Sequence, residues 1–271
     1  MKKIVLTIFV FLLGIIAKAQ DYQFLENINY YDKNTTDYQK SQCLLDFYYP
    51  KNHKNFATVI WFHGGGITGG KKEIPEAIKN NGFAVIGVGY RLSPNVKAPT
   101  YIEDAAAAVA WAFHNVEQYG GNKKLIFVTG HSAGGYLGMM IGFDKKYLKK
   151  HAVDANEIAG LIPFSGQAVT HFTIRKEKGI PELQPIIDEY SPLFFVRKDL
   201  PPLLLITGDR ELEIMGRYEE NAYLERMMKL VKHENTRLFE LDGFNHSEMA
   251  EPAFPLLIKE VKQRSQKILK E

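Results

Sequence analysis

The sequence predicts a single α/β domain in which a mostly parallel central sheet is flanked by helices. Short, continuously apolar segments alternate with helical patterns along the chain, which is typical of strand–helix–strand units whose strands are buried on both faces. No repeat or Pro/Ser-rich linker divides the 271 residues, a length that suits one large α/β domain. Hydrophobic residues make up 45% of the chain and charged residues 24%, as in an ordinary globular protein with a sizeable core.

The strand predictions are short apolar runs, and the helix predictions are longer runs with a helical spacing of apolar residues. The predicted strands cover residues 44–49, 58–62, 84–88, 125–129, 158–162, 203–207 and 236–240, and the first of them ends at Pro50. The predicted helices cover residues 101–117, 133–143, 217–231 and 252–269. Strand, turn and helix therefore repeat along the chain.

The segment 166–200 differs from its surroundings because it lacks a clear period and lies between two predicted strands. We interpret it as a small cap excursion that covers the site; a solvated connection is the alternative. Its charged run Arg175-Lys176-Glu177-Lys178 is expected to be exposed, because charge runs usually face solvent.

The first nineteen residues have the three zones of a secretory signal peptide. Lys2-Lys3 precede an apolar run over residues 4–16, and Ala17-Lys18-Ala19 follows as the small-residue zone. The apolar run is shorter than the roughly 20 residues needed to cross a bilayer, so we expect cleavage after Ala19 and no stable membrane span. The domain would then comprise residues 20–271 and be secreted or periplasmic.

Charge and cysteine content exclude several classes of function. The chain has 34 basic and 31 acidic residues, and three of the basic ones lie in the predicted leader, so the mature protein is near neutral. Nucleic-acid binding is therefore not expected, because it depends on clustered basic residues.

Cys43 is the single cysteine and is expected to be a small core residue. No His/Cys/carboxylate spacing typical of a metal site is present, so we predict no metal and no cofactor.

The pentapeptide Gly130-His131-Ser132-Ala133-Gly134 directly follows the predicted strand 125–129 and precedes a predicted helix. This context is that of a nucleophile elbow, a strained turn that raises a serine hydroxyl above the strand ends. The flanking glycines let strand and helix approach each other without steric conflict. Ser132 is therefore the candidate nucleophile.

A second glycine-rich loop, His63-Gly64-Gly65-Gly66, follows the predicted strand 58–62. Such a loop can aim backbone N–H groups at one point where bulky side chains would block the approach. We predict an oxyanion hole formed by the N–H groups of Gly65, Gly66 and Ala133.

Together these motifs resemble the α/β-hydrolase esterase/lipase superfamily, and in particular its hormone-sensitive-lipase-like carboxylesterase branch with HGGG and GxSxG motifs. The segment Gly89-Tyr90-Arg91-Leu92-Ser93-Pro94 and the later Glu103-Asp104 add to the resemblance, which extends from about residue 60 to residue 246. It implies the α/β-hydrolase fold, and it implies that Arg91 and Asp104 form a structural pair beside the site.

Ser132 needs a general base held by a carboxylate, and this fold supplies the two in the order Ser, acid, His. His246 lies between the last predicted strand and the terminal helix, where the family places its base. The other histidines fit less well and are expected to have surface or packing roles; among them are His63, His114, His131, His151 and His233.

The acid is ambiguous, because Thr207-Gly208-Asp209-Arg210-Glu211 offers two carboxylates after one strand. The spacing usual in the family favours Glu211, whereas Asp is the commoner residue type at this position. We prefer Glu211, keep Asp209 as the alternative, and expect the other residue to cap the turn or to pair with Arg210.

The predicted function is hydrolysis of small carboxylic esters with short acyl chains by Ser-His-acid acyl transfer. The export signal extends this prediction to deacetylation or de-esterification of extracellular carbohydrate. An exported peptidase or amidase of the same fold is an alternative, and a non-catalytic binding protein on a hydrolase scaffold is another. The predicted partner is a small-molecule ester; the sequence does not determine the oligomeric state.

Overall fold

The computed structural model describes residues 21–31 and 36–271. The predicted signal peptide lies outside these residues. The described part contains an eight-stranded sheet in the order β1-β2-β4-β3-β5-β6-β7-β8, in which β1 and β2 are antiparallel to their neighbours and the other pairings are parallel. The strands are β1 Tyr22–Asn29, β2 Leu44–Pro50, β3 Phe56–Phe62, β4 Ala84–Val88, β5 Gly121–His131, β6 Gly160–Phe164, β7 Leu203–Gly208 and β8 Thr236–Leu241.

Helices cover both faces of this sheet. They are α1 Asp37–Gln42, α2 Thr100–Asn115, α3 Ala133–Phe143, α4 Lys146–Lys149, α5 Phe172–Glu177, α6 Arg217–Leu230 and α7 Ala250–Ile268. One apolar cluster joins the sheet to α2, α3 and α6, and a second joins its other face to α7. Cys43 is buried in the first cluster, as predicted.

The seven predicted strands and four predicted helices are all present, with ends shifted by a few residues. The predicted fold class, a mostly parallel sheet flanked by helices, is confirmed. Strand β3 illustrates the reason, because all seven of its residues are buried and a strand covered on both faces must be apolar throughout. The edge strand β1 was not predicted from the sequence.

The parallel strands deliver their following loops to one edge of the sheet. Strands β3, β5, β7 and β8 run in the same direction, so the loops after their carboxyl ends meet at that edge, where ligands bind in open α/β sheets. These loops contain the glycine-rich loop, Ser132, the acidic segment 209–213 and His246.

The segment 166–200 lies over this edge and is tied to it by hydrogen bonds. The Tyr136 hydroxyl on α3 donates to the Tyr190 carbonyl at 2.7 Å, and the Thr173 hydroxyl donates to the carbonyl of Gly66. The expectation that the whole charged run faces solvent is wrong for Arg175. That side chain is buried, because its guanidinium turns inward and donates to the carbonyl of Gln184 at 2.7 Å.

None of the helices within residues 21–31 and 36–271 is long and apolar enough to cross a membrane. In the same part of the chain, no three or more His, Cys, Asp or Glu side chains are grouped so that they could hold a metal ion.

Candidate active site

Ser132 occupies a strained turn between β5 and α3. Its backbone has φ 55° and ψ −114°, a conformation that costs free energy for any residue other than glycine and persists only where the surroundings enforce it. Its N–H donates to the carbonyl of Phe164 at 2.8 Å. A Cβ atom on Gly134 would lie 2.0 Å from the carbonyl oxygen of Phe62, so only glycine allows α3 to pass this close to β3. The elbow predicted from the sequence is present.

His246 reaches Ser132 from the loop that follows β8. Its Nε2 lies 2.9 Å from the Ser132 hydroxyl oxygen, and its Nδ1 lies 2.7 Å from a carboxylate oxygen of Glu213. A carboxylate accepts hydrogen bonds, so Nδ1 carries the proton and Nε2 is free to accept from the hydroxyl. The three side chains therefore form one continuous hydrogen-bonded relay.

The carboxylate in this relay corrects the acid prediction. Glu213, and neither Glu211 nor Asp209, contacts His246. A helical turn follows β7, in which the Glu213 N–H donates to the Asp209 carbonyl at 2.8 Å. This turn carries the chain past the expected position, so the side chain that points into the site lies two residues later than the family spacing implied.

Asp209 and Glu211, the two acids that the sequence suggested, lie elsewhere in this turn. Asp209 caps the turn, accepting from the N–H of Glu211 at 2.9 Å and from the N–H of Gly243 at 2.8 Å. These backbone hydrogen bonds lower its pKa. Glu211 is exposed. The sequence carried no signal for the correct acid, because it did not show that a helical turn begins at Asp209.

Glu213 is buried but remains a carboxylate. Its side chain is 1% exposed, and burial alone would raise its pKa. Hydrogen bonds from His246, the Ser165 hydroxyl and the Gly208 N–H outweigh burial and lower the pKa to about 2. The carboxylate is thus ionised at neutral pH and oriented by three donors.

The glycine-rich loop lies directly beside the nucleophile. A Cβ atom on Gly64 would lie 3.6 Å from the Cβ of Ser132. Gly65 and Gly66 have φ values of 103° and 63°, which favour glycine. The Gly65 carbonyl accepts from Thr68 and Gly69, while the N–H groups of Gly65 and Gly66 have no hydrogen-bond partner among the described residues. Two free backbone donors therefore lie in the loop whose Gly64 adjoins Ser132, and their role as an oxyanion hole stays a prediction.

His63 and His131 support the site without entering the relay. The His63 ring stacks on Tyr90 with centroids 4.3 Å apart, and its Nδ1 lies 2.7 Å from the Gly64 carbonyl. The Nε2 of His131 lies 2.7 Å from the His246 carbonyl. Burial, and secondarily the charge of His246, lowers the pKa of His131 to about 4, so its neutral ring donates a hydrogen bond that fixes the His246 backbone. The packing roles expected for both histidines agree with these contacts.

The predicted structural pair of Arg91 and Asp104 is present. Arg91 donates to both carboxylate oxygens, from Nε at 2.8 Å and from Nη2 at 2.6 Å. Asp104 is fully buried and also accepts from the Tyr31 hydroxyl at 2.7 Å. The pair thereby joins the loop after β4 to the first turn of α2.

A groove of about 740 Å³ adjoins the relay. Gly64 and His131 belong to its lining, and the largely buried side chains of Trp61 and Phe254 form part of its wall. Three carboxylates, those of Glu73, Glu76 and Glu251, also line it. The groove thus offers hydrogen-bond acceptors close to the relay.

The BD-FAE family model matches residues 45–218, a range that includes the glycine-rich loop, the elbow and Glu213. The chain belongs to the BD-FAE family. The BD-FAE match and the fold confirm the resemblance to α/β-hydrolase esterases that the motifs indicated.

Individual relatives agree with this assignment. The chain is 28% identical over 210 residues to Esterase LipC of Mycobacterium tuberculosis, an alignment that covers 69% of this chain and 50% of LipC. The chain therefore spans about half the length of that relative.

Solved structures support the fold. A truncated carbohydrate esterase from gut microbiota superposes with a TM-score of 0.75 at 19% identity, covering 92% of this chain and 99% of the other. Esterase B from Lactobacillus rhamnosis superposes with a TM-score of 0.67 at 21% identity, covering 93% and 91%. At these identities the similarity establishes the α/β-hydrolase fold.

Proposed function

We propose that this protein is a serine carboxylesterase that hydrolyses small esters by acyl transfer. The observation that carries the proposal is the relay, with 2.9 Å between Ser132 Oγ and His246 Nε2 and 2.7 Å between His246 Nδ1 and Glu213. Both distances are within the range in which a base can take a proton from a nucleophile and be oriented by a carboxylate.

The reaction proceeds in two steps, acylation of Ser132 and hydrolysis of the acyl-enzyme. His246 Nε2 accepts the Ser132 proton while the serine oxygen attacks the ester carbonyl, and the resulting imidazolium returns that proton to the departing alcohol. Water then attacks the acyl-enzyme with His246 again as base, releasing the carboxylic acid and restoring the serine. Glu213 stays ionised throughout, because its pKa of about 2 lies far below neutral pH.

The developing oxyanion is stabilised by backbone donors. The N–H groups of Gly65 and Gly66 and that of Ala133, at the first position of α3, take this role in the proposal. Removing a single oxyanion donor typically lowers the rate about 100-fold or more. Backbone donors held by fixed turns need no reorganisation as the charge appears.

Acetylated carbohydrate is the substrate class that we propose beyond simple esters. The structural neighbour described as a carbohydrate esterase supports it. So does the groove, since its glutamates accept hydrogen bonds from hydroxyl groups. LipC, an esterase by name, supports the ester-cleaving chemistry itself.

Export of the protein is part of the same proposal and is supported by the leader of residues 1–19. We expect the exported protein to begin at Gln20, which sequencing of its N-terminus will check. A protein retained with Met1 intact would contradict export.

The direct test is hydrolysis of p-nitrophenyl esters of increasing acyl length by the mature protein and three variants. We expect turnover of short esters, its loss in Ser132→Ala, and a decrease of about 10³- to 10⁴-fold in kcat for Glu213→Gln, because the imidazole loses the partner that orients it. Glu211→Gln is the matched control and should retain wild-type activity.

Three other results of this test would contradict the assigned acid or favour a different function. Equal losses in Glu211→Gln and Glu213→Gln would contradict the assigned acid. Cleavage of p-nitroanilides without cleavage of esters would favour the peptidase or amidase alternative. Absence of all turnover by the folded protein would favour a binding protein.

A further inference from the structure

A second polar cluster lies beneath the segment 166–200, beside the relay, and takes no part in the proposed mechanism. We define the arginine cluster as His171, Arg175 and Arg217, whose side chains are all buried, with exposures of 0%, 3% and 0%. Arg217 begins α6, whereas the other two residues belong to the loop and helix of the segment itself. Buried guanidinium groups normally have carboxylate partners.

The cluster presents hydrogen-bond donors that nothing in the described chain satisfies. Arg217 Nε and Nη2, Arg175 Nε and His171 Nε2 all lack a partner there. The Nδ1 of His171 accepts from the Thr173 N–H at 3.2 Å, so the ring proton of this buried, neutral histidine is on Nε2. All four unpartnered atoms therefore carry hydrogen and require an acceptor.

The nearby carboxylate does not supply that acceptor. Glu220 accepts from the N–H groups of Ala168 and Val169 at 3.0 and 3.4 Å and from the Gln167 side chain at 3.4 Å. Within the described residues, neither arginine of the cluster has a carboxylate oxygen within 4.0 Å. Glu220 acts electrostatically on both arginines, Glu213 acts on Arg217 and Glu182 acts on Arg175, yet none of these carboxylates accepts directly from the unpartnered guanidinium atoms.

The cluster is connected to both halves of the catalytic machinery. Arg217 donates to the carbonyl of Ser165, whose hydroxyl donates to Glu213. The His171 ring stacks on Phe172 with centroids 4.3 Å apart, and Phe172 lies against the glycine-rich loop, since its Cζ is 2.9 Å from where a Cβ of Gly66 would be. The cluster therefore contacts residues that hold both the catalytic acid and the glycine-rich loop.

We propose that the arginine cluster binds a carboxylate carried by the substrate, so that the enzyme selects esters with a negatively charged group. The inference rests on the proposed function and names a substrate class for it. A carboxylate offers only acceptors and matches the planar donor fork of arginine. The charged group belongs either to the acyl half, as in a succinyl ester, or to the alcohol half, as in an acetylated uronic acid.

The test compares matched pairs of substrates. In the acyl arm, p-nitrophenyl hydrogen succinate is compared with p-nitrophenyl butyrate, which has the same number of acyl carbons. In the alcohol arm, acetylated glucuronic acid is compared with acetylated glucose. We expect the wild-type kcat/KM, after subtraction of buffer hydrolysis, to favour the charged member of one arm by about 10-fold or more, as expected for hydrogen bonds to a charged group.

Substitutions in the arginine cluster test whether the cluster causes the preference for charged substrates. We expect about a 10-fold reduction of the charged-to-neutral ratio in each of Arg217→Met, Arg175→Met and His171→Phe. If the arginine variants fail to fold, His171→Phe still tests the cluster, because it keeps the aromatic packing. Arg226→Met is the matched control, because Arg226 is an exposed arginine on the same helix, and it should leave the ratio unchanged.

The outcomes separate this inference from the proposed function. Hydrolysis of neutral esters without a preference for the charged member in either arm overturns the inference and leaves the esterase proposal standing. If none of the four substrates is cleaved, the esterase proposal fails, and calorimetric titration of Ser132→Ala with succinate decides the inference. Saturable binding that is lost in the further variant His171→Phe supports the carboxylate site, and absence of binding overturns it.

Discussion

Glu213 is the residue at which the local sequence and the folded site differ. Ser132 and His246 could be predicted because each lies in a short context whose chemistry is local, a strained glycine-flanked turn and a loop after the last strand. The acid depends on the shape of the turn after β7, where the carboxylates of Asp209, Glu211 and Glu213 follow one another at alternate positions. One helical turn decides which of them reaches the imidazole, and nothing in the residue types reveals that turn.

Glu213 also predicts a pH dependence of stability. Its pKa in the folded protein is about 2, below the ordinary value of 4.5, so it favours the folded state above about pH 4.5 and loses this contribution as the pH falls towards 2. We therefore expect the difference in unfolding free energy between wild type and Glu213→Gln to shrink between pH 6 and pH 3. Urea unfolding at both pH values measures this. A difference that grows on acidification would contradict the assigned ionisation.

At the scale of elements, the clearest strand predictions are those buried along their whole length, such as β3 and β4. The edge strand β1 was missed because none of its residues is buried and it mixes polar with apolar residues. It owes its structure to pairing with β2 and has little apolar signal of its own. The segment 166–200 contains α5 and no strand of the sheet. The burial of Arg175 was not predicted, because charge runs are ordinarily solvated.

The pair of Arg91 and Asp104, which joins the loop after β4 to helix α2, predicts an effect on the stability of the fold. Asp104→Ala should destabilise the fold by about 3 kcal/mol or more, because it leaves the Arg91 guanidinium and the Tyr31 hydroxyl without their buried acceptor. The adjacent Glu103→Ala, which breaks an exposed pair with Lys150, should cost less than about 1 kcal/mol. Chemical denaturation of the two variants measures the difference, and equal effects would refute a structural role for the Arg91–Asp104 pair.

At the scale of the whole molecule, the site forms because parallel strands of one sheet end at the same edge. Residues 63, 132, 213 and 246 are far apart in sequence, yet the order of β3, β5, β7 and β8 brings their loops together. The fold class and the two glycine motifs were predictable from sequence because periodicity and glycine placement are local properties. The arginine cluster was not, since it joins the segment 166–200 to α6 through tertiary packing alone.

The central claim is that Ser132 is a nucleophile activated by His246 and Glu213. The most direct measurement is mass spectrometry of the mature protein after treatment with diethyl p-nitrophenyl phosphate, which transfers its phosphoryl group to an activated serine. We predict one adduct per chain, located on Ser132, with release of one equivalent of p-nitrophenol and labelling slowed about 10³-fold in Glu213→Gln. An unlabelled Ser132, or equal labelling of several serines, would contradict the claim.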